Sequence, residues 1–140
     1  MTDEELIAKK LAFIETCLHE LRTIARPDAI PGDVRERRFV EHTLQLAIQA
    51  ALDVASHVAS DERLGEPATN KELFDLLARA GWIGATQVAP LRDMAGFRNV
   101  LVHGYTTVDP AIVKDVVRTR LGDLDAFVEA VRRRLLLPPG

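Results

Sequence analysis

The sequence has a single cysteine, Cys17, among its 140 residues. One thiol makes neither an internal disulfide nor a Cys-x-x-Cys zinc site, so disulfide-stapled domains and cysteine-based zinc modules are excluded. The residues at helical spacing from Cys17 are apolar. We therefore expect Cys17 to be a small buried hydrophobe, not a reactive thiol, in the reducing environment of the cytoplasm.

The sequence also lacks an excess of positive charge. Its 18 Lys and Arg residues face 21 Asp and Glu residues, which gives a formal net charge of −3 at pH 7. Proteins that coat nucleic acids without specificity are usually basic, so that class is excluded. The 47% hydrophobic content and the balanced 28% of charged residues exclude a disordered chain. The length suits one domain, residues 1–140.

Long hydrophobic runs are missing as well. No uncharged apolar stretch approaches the roughly 18 residues that a membrane-spanning helix needs. Residues 1–5 are acidic and lack the basic and apolar regions of a signal peptide. We expect a soluble cytoplasmic protein that does not contact a membrane.

What the sequence does contain is helical periodicity interrupted by proline and glycine. Asp33 and Asp109 are suited to cap helix starts, and Gly81 is suited to close a helix with Trp82 packed back on its last turn. We expect Gly122 to weaken the last helix without breaking it. The predicted helices cover residues 3 to about 24, 33 to about 59, 70 to about 80, 85 to about 102 with a kink or a start near Pro90, and 109 to about 136.

No segment has a strong strand pattern. The sequence therefore predicts an all-α fold, an up-and-down bundle of four to five helices joined by short loops.

Metal-ligand patterns are weak in this sequence. Asp53 and His57 stand four residues apart on one face of the second predicted helix, and alone they supply at most two ligands. An ion pair on the helix surface or a hydrogen-bonded buried histidine explains them better than a metal does. We expect neither a metal nor a cofactor.

The chemically informative stretch is residues 96–105, Gly-Phe-Arg-Asn-Val-Leu-Val-His-Gly-Tyr. His103 is suited to take a proton from a ribose 2′-hydroxyl near neutral pH. Arg98 is suited to hold a phosphate and to stabilise transition-state charge, and Asn99 to orient the histidine or bind a phosphate oxygen. The competing interpretation is structural, with Arg98 capping a helix, His103 satisfied in the core and Tyr105 packed on the bundle.

Helical geometry constrains this stretch. At 100° per residue, Asn99 and His103 lie about 40° apart around the helix axis, whereas Arg98 and His103 lie about 140° apart. Arg98 and His103 therefore converge only if the helix ends before His103 or if two copies of the chain meet there.

The same stretch resembles the signature of HEPN domains, and most closely the Arg-x4-His-x-Tyr pattern of HepT-like toxins. Arg98, His103 and Tyr105 occupy the three motif positions, with Asn99 in the place that the family prefers. The residues that flank the motif, 94–97 and 108–109, also match the family. So do two parts of the second predicted helix, residues 44–48 and 52–58.

This resemblance implies a HEPN-like helical bundle and a metal-independent endoribonuclease toxin that acts on RNA, not DNA. It implies a homodimer in which Arg98 and His103 of both protomers line a composite cleft. The implied partner is a MntA-like nucleotidyltransferase antitoxin that transfers AMP from ATP to Tyr105. A bulky anionic group two residues from His103 blocks the cleft and repels RNA phosphate. The alternative is a non-catalytic HEPN subunit that binds a nucleotidyltransferase or presents its substrate.

One basic run remains, Arg132 to Arg134 near the end of the last predicted helix. Favourable charge at a helix C-terminus explains it better than contact with an RNA backbone does.

Overall fold

The computed structural model describes residues 3–103 and 108–137. Within these ranges the chain is helical and has no strand, which confirms the predicted all-α class. No helix within them is both long and apolar enough to cross a membrane. The six helices are α1 (Glu4–Thr23), α2 (Val34–Asp61), α3 (Glu72–Arg79), α4 (Val88–His103), α5 (Pro110–Thr119) and α6 (Leu121–Leu135).

Three aspartates start helices by accepting hydrogen bonds from backbone N–H groups that have no partner within the helix. Asp3 caps α1 through the N–H of Leu6, at 3.1 Å. Asp33 accepts from two N–H groups at the start of α2, and Asp109 accepts from one at the start of α5. The helices therefore begin where the sequence predicts, directly after Asp3, Asp33 and Asp109. Pro110 is the first residue of α5, a position that proline favours.

The C-terminal end of α3 and the start of α4 are determined by nearby residues. Gly81 has φ +81°, and the N–H of Trp82 donates to the carbonyl of Leu77 at 2.9 Å, which closes α3 as predicted. A single 3₁₀ turn, Ala85–Gln87, precedes α4. Pro90 lies in the first turn of α4, where its missing N–H costs no helical hydrogen bond, so the predicted start near Pro90 is confirmed.

The predicted last helix is two helices. Arg120, with φ −114° and ψ −5°, separates α5 from α6, so the break precedes Gly122 by two residues. α5 packs on the turn at Pro27–Ala29, where Asp28 pairs with Lys114 and Arg118. α6 packs on α1 instead. The described part of the chain therefore contains six helices, one more than the prediction allows.

The core is one cluster of apolar side chains around α2, which contacts each of the other five helices. Phe74 of α3 and Phe127 of α6 meet edge to face, with ring centroids 5.9 Å apart and planes at 87°. The largest fully buried side chains are Phe74, Phe127, Ile7, Leu11, Ile14, Leu18, Leu21, Ile30, Leu44, Ile48, Leu77 and Leu91.

Cys17 is part of this core, as predicted, and is 2% exposed. Burial, with a smaller contribution from the Glu20 carboxylate, raises the pKa of the thiol to about 11. We expect Cys17 to resist iodoacetamide at pH 8 in the folded protein and to react once the protein is unfolded in guanidinium, because the thiolate is the nucleophile. Mass spectrometry of both samples checks this, and stoichiometric labelling of the folded protein would contradict it.

Candidate active site

Helix α4 carries the candidate residues. Leu91, Met94 and Ala95 form its buried face, and Arg98 follows one turn later on the same face, where it is half-buried. Asn99 and His103 are exposed, and His103 is the last residue of α4. On the inward face of α4, Arg98 thus occupies a position where the apolar pattern predicts a hydrophobic side chain.

The guanidinium of Arg98 is incompletely satisfied. Its Nη1 donates to Oδ1 of Asn99 at 3.2 Å, whereas its Nε is buried and has no hydrogen-bond partner in the described part of the chain. A buried N–H without a partner costs about 1–3 kcal/mol. This nitrogen is closed to solvent, so a ligand can reach the Arg98 guanidinium only through its other nitrogens.

His103 lies away from Arg98. α4 remains helical through residue 103, so the first of the two routes to convergence, an earlier helix end, does not occur. The two side chains leave the helix about 140° apart. One copy of the chain therefore does not present Arg98 and His103 to the same side of α4.

Two valines near His103 in α4 are exposed. Val100 is 51% exposed and Val102 is 37% exposed, both within one turn of His103. Surface depressions of about 480 and 460 Å³ lie elsewhere, the first between α1 and α6 and the second beside the loop that follows α2. Neither is lined by one of residues 98–103, the described part of the motif.

Tyr105, the predicted modification site, lies outside the described residues.

Two charged side chains near the start of α4 are neutralised from neighbouring helices. Arg92 pairs with Asp75 of α3, and Asp93 pairs with Arg120 at the junction of α5 and α6, at 3.3 Å. The positive charge that stays unpaired on the described part of α4 is therefore that of Arg98.

Asp53 and His57 do not pair with each other. Asp53 contacts Lys10 at 3.5 Å and accepts a hydrogen bond from Gln49 at 2.9 Å. Within residues 3–103 and 108–137 no group of three or more His, Cys, Asp or Glu side chains is arranged to hold a metal ion. Of the two structural alternatives for Asp53 and His57, the ion pair between them does not form, and Asp53 pairs with Lys10 of α1 instead.

The basic run at the end of α6 has structural partners. Arg132 makes a two-pronged contact with Glu15 of α1, at 2.7 and 3.2 Å, and the pair lowers the pKa of the Glu15 carboxyl. Arg133 pairs with Glu129, and the Arg134 guanidinium lies 5.1 Å from the centre of the Trp82 ring. These contacts occupy all three arginines within the bundle and do not favour an RNA contact.

Comparison with known proteins places this geometry in context. The family model described as ribonuclease HepT-like matches residues 14–131. An mRNA nuclease HepT of Shewanella oneidensis is 28% identical over 129 residues, which cover 91% of this chain and 97% of that protein. A tRNA nuclease HepT of Aphanizomenon flos-aquae is 32% identical over 101 residues, 72% of this chain and 69% of that protein.

Among solved structures, the chain resembles a tri-AMPylated Shewanella oneidensis HEPN toxin in complex with its MNT antitoxin. The TM-score is 0.85 at 28% sequence identity, over 95% of this chain and 99% of that chain.

Proposed function

The chain belongs to the ribonuclease HepT-like family, and on that premise we propose that it is the ribonuclease toxin of a HEPN/minimal nucleotidyltransferase toxin–antitoxin system. The observation that carries the catalytic assignment is the Arg98 guanidinium, a half-buried cation without an ion-pair partner in the described part of the chain, five residues before the exposed His103. We propose that the whole chain, residues 1–140, acts as one domain in the cytoplasm.

In this mechanism His103 removes the proton from a ribose 2′-hydroxyl, and the resulting oxygen attacks the adjacent phosphorus. The P–O5′ bond breaks to leave a 2′,3′-cyclic phosphate, the 5′-oxygen takes a proton from water, and His103 returns its own proton to the solvent. Arg98 binds the non-bridging phosphate oxygens, on which negative charge accumulates in the transition state. Asn99, already bonded to Arg98, holds the guanidinium in position. No metal takes part in this scheme.

The functional unit is a homodimer. Arg98 and His103 leave one helix about 140° apart, so two copies are needed to bring an arginine and a histidine to one phosphate. The exposed Val100 and Val102 beside His103 supply apolar surface for a second copy to cover. The two α4 helices then line one composite cleft.

The partner that silences this cleft is a MntA-like nucleotidyltransferase, which transfers AMP from ATP to the Tyr105 hydroxyl with release of pyrophosphate. The modified side chain carries a negative phosphodiester and a nucleoside two residues from His103. It obstructs the cleft and repels the RNA backbone.

We expect the purified protein to cleave single-stranded RNA in the presence of EDTA, and to lose this activity after incubation with ATP and its nucleotidyltransferase. Gel electrophoresis of the RNA and mass spectrometry of the protein measure both changes. Tyr105 is the single tyrosine of the sequence, so an adduct on tyrosine has one location.

Tyr105→Phe is the matched control, because it lacks the acceptor oxygen and should cleave RNA with or without ATP. A stable complex with the nucleotidyltransferase, combined with no RNA cleavage by the unmodified protein, would instead identify a non-catalytic HEPN subunit.

A further inference from the structure

A lysine from the start of α3 lies against α4 beside the candidate site. A Cβ atom built on Gly96 would be 3.1 Å from Nζ of Lys71 and 3.3 Å from its Cε. Lys71 directly precedes α3, twenty-five residues earlier in the sequence. The absence of a side chain at Gly96 is what leaves room for the ammonium group.

The Lys71 ammonium has no ion-pair partner within 4.0 Å in the part of the chain that the structure describes. The nearest acidic groups in the sequence of α3 are engaged elsewhere: Glu72 accepts a hydrogen bond from the N–H of Ala68, and Asp75 pairs with Arg92. Lys71 is half-buried, so its charge is less hydrated than that of a fully exposed lysine. Such a cation is suited to an anionic ligand.

Lys71 lies over the stripe of α4 that also carries Asn99 and His103. Gly96, Asn99 and His103 follow each other at i, i+3 and i+7, which places them on one face of the helix. Seven residues correspond to about 10 Å along the axis. An RNA strand that lies along α4 with one phosphate near His103 therefore has a neighbouring phosphate near the Lys71 ammonium.

Resting on the proposed function, we propose that Lys71 binds an RNA backbone phosphate adjacent to the one that is cleaved. It orients the strand along α4 and is not itself a catalytic residue. This assignment adds a contact from α3 to a cleft whose other residues come from α4.

The test measures RNA binding in a His103→Ala background, which keeps the RNA intact. Lys71→Gln is expected to reduce the slope of log Kd against log salt by about 0.7, the value for one phosphate contact on a single strand. At 0.1 M salt this is a loss of about fivefold in affinity. Lys71→Arg should retain the slope of the parent.

Arg79→Gln is the matched control, because it removes the same charge from an exposed position at the other end of α3. Equal slopes for Lys71→Gln and Arg79→Gln would overturn the proposal. So would an effect of Lys71→Gln confined to binding of the nucleotidyltransferase, which would make Lys71 a protein contact.

Gly96→Ala supplies a second variant that keeps Lys71 and crowds its ammonium. It should weaken RNA binding while raising the melting temperature, because alanine favours a helix interior. Unchanged affinity would overturn the placement of the ammonium over Gly96. Failure of the wild type to cleave RNA refutes the proposed function alone, since the salt slope of the His103→Ala protein does not depend on cleavage.

Discussion

Alanine at position 103 is expected to lower the rate of RNA cleavage by about 10²–10⁴-fold, the usual contribution of a positioned general base. Arg98→Ala should cost about 10²–10³-fold, because the phosphate then loses its principal donor. Arg98→Lys should stay impaired, since an ammonium has the charge but not the two-pronged geometry of a guanidinium. Single-turnover cleavage of a labelled RNA measures all three variants.

His19→Ala is the control for this experiment. His19 is exposed on α1, and its replacement removes a histidine without touching α4. If His103→Ala cleaved RNA as fast as His19→Ala, the role assigned to His103 would be wrong.

The same two variants test the composite cleft. When Arg98→Ala and His103→Ala proteins are mixed and allowed to exchange subunits, a mixed dimer pairs the intact Arg98 of one protomer with the intact His103 of the other. About half of the dimers are mixed, and each regains one of the two Arg98–His103 pairs in the cleft, so roughly a quarter of wild-type activity should return. No recovery would show that each site uses residues of one protomer only.

The second large effect concerns stability. Phe127 is completely buried and meets Phe74 edge to face. We expect Phe127→Ala to lower the free energy of unfolding by about 3–5 kcal/mol, because it removes this contact and leaves a cavity between α3 and α6. That is a large share of the roughly 5–15 kcal/mol typical of a domain.

Urea unfolding followed by circular dichroism at fixed protein concentration measures this loss. Phe13→Ala is the control, because Phe13 is 43% exposed and its loss should cost far less. Should Phe127→Ala fail to fold, Phe127→Leu keeps most of the volume and should cost about 1 kcal/mol. Equal losses for the substitutions at 127 and 13 would contradict the buried contact of Phe127 with Phe74.

Helix starts and ends were predictable from the sequence because they depend on near neighbours. The Asp33 cap needs only the two residues that follow it, and the Gly81 closure needs only the last turn of α3. The break at Arg120 was not predictable. Val117, Leu121 and Leu124 keep helical spacing across it, so the apolar pattern reads as one helix.

In the candidate site, too, some features could be predicted from the sequence and others could not. Arg98, Asn99 and His103 were identifiable because they lie in one short motif, and Tyr105 stays a prediction. The position of Lys71 over Gly96 and the pairing of Arg92 with Asp75 depend on how α3 packs against α4. Nothing in the local sequence specifies that packing.

The two ion pairs that flank the start of α4 also fix how the helix is turned about its own axis. Arg92 is held by α3 on one side, and Asp93 is held by Arg120 on another. Both pairs are partly exposed, and each contributes at most about 1 kcal/mol to stability. Their effect on the site comes from limiting the rotation of α4 about its axis. Side chains extend about 6 Å from a helix axis, so a 10° rotation of α4 moves the tip of His103 by about 1 Å. A displacement of that size is enough to impair catalysis. If His103 has the catalytic role proposed above, the direction of its side chain therefore depends in part on the ion pairs of Arg92 and Asp93, eleven and ten residues earlier in the helix.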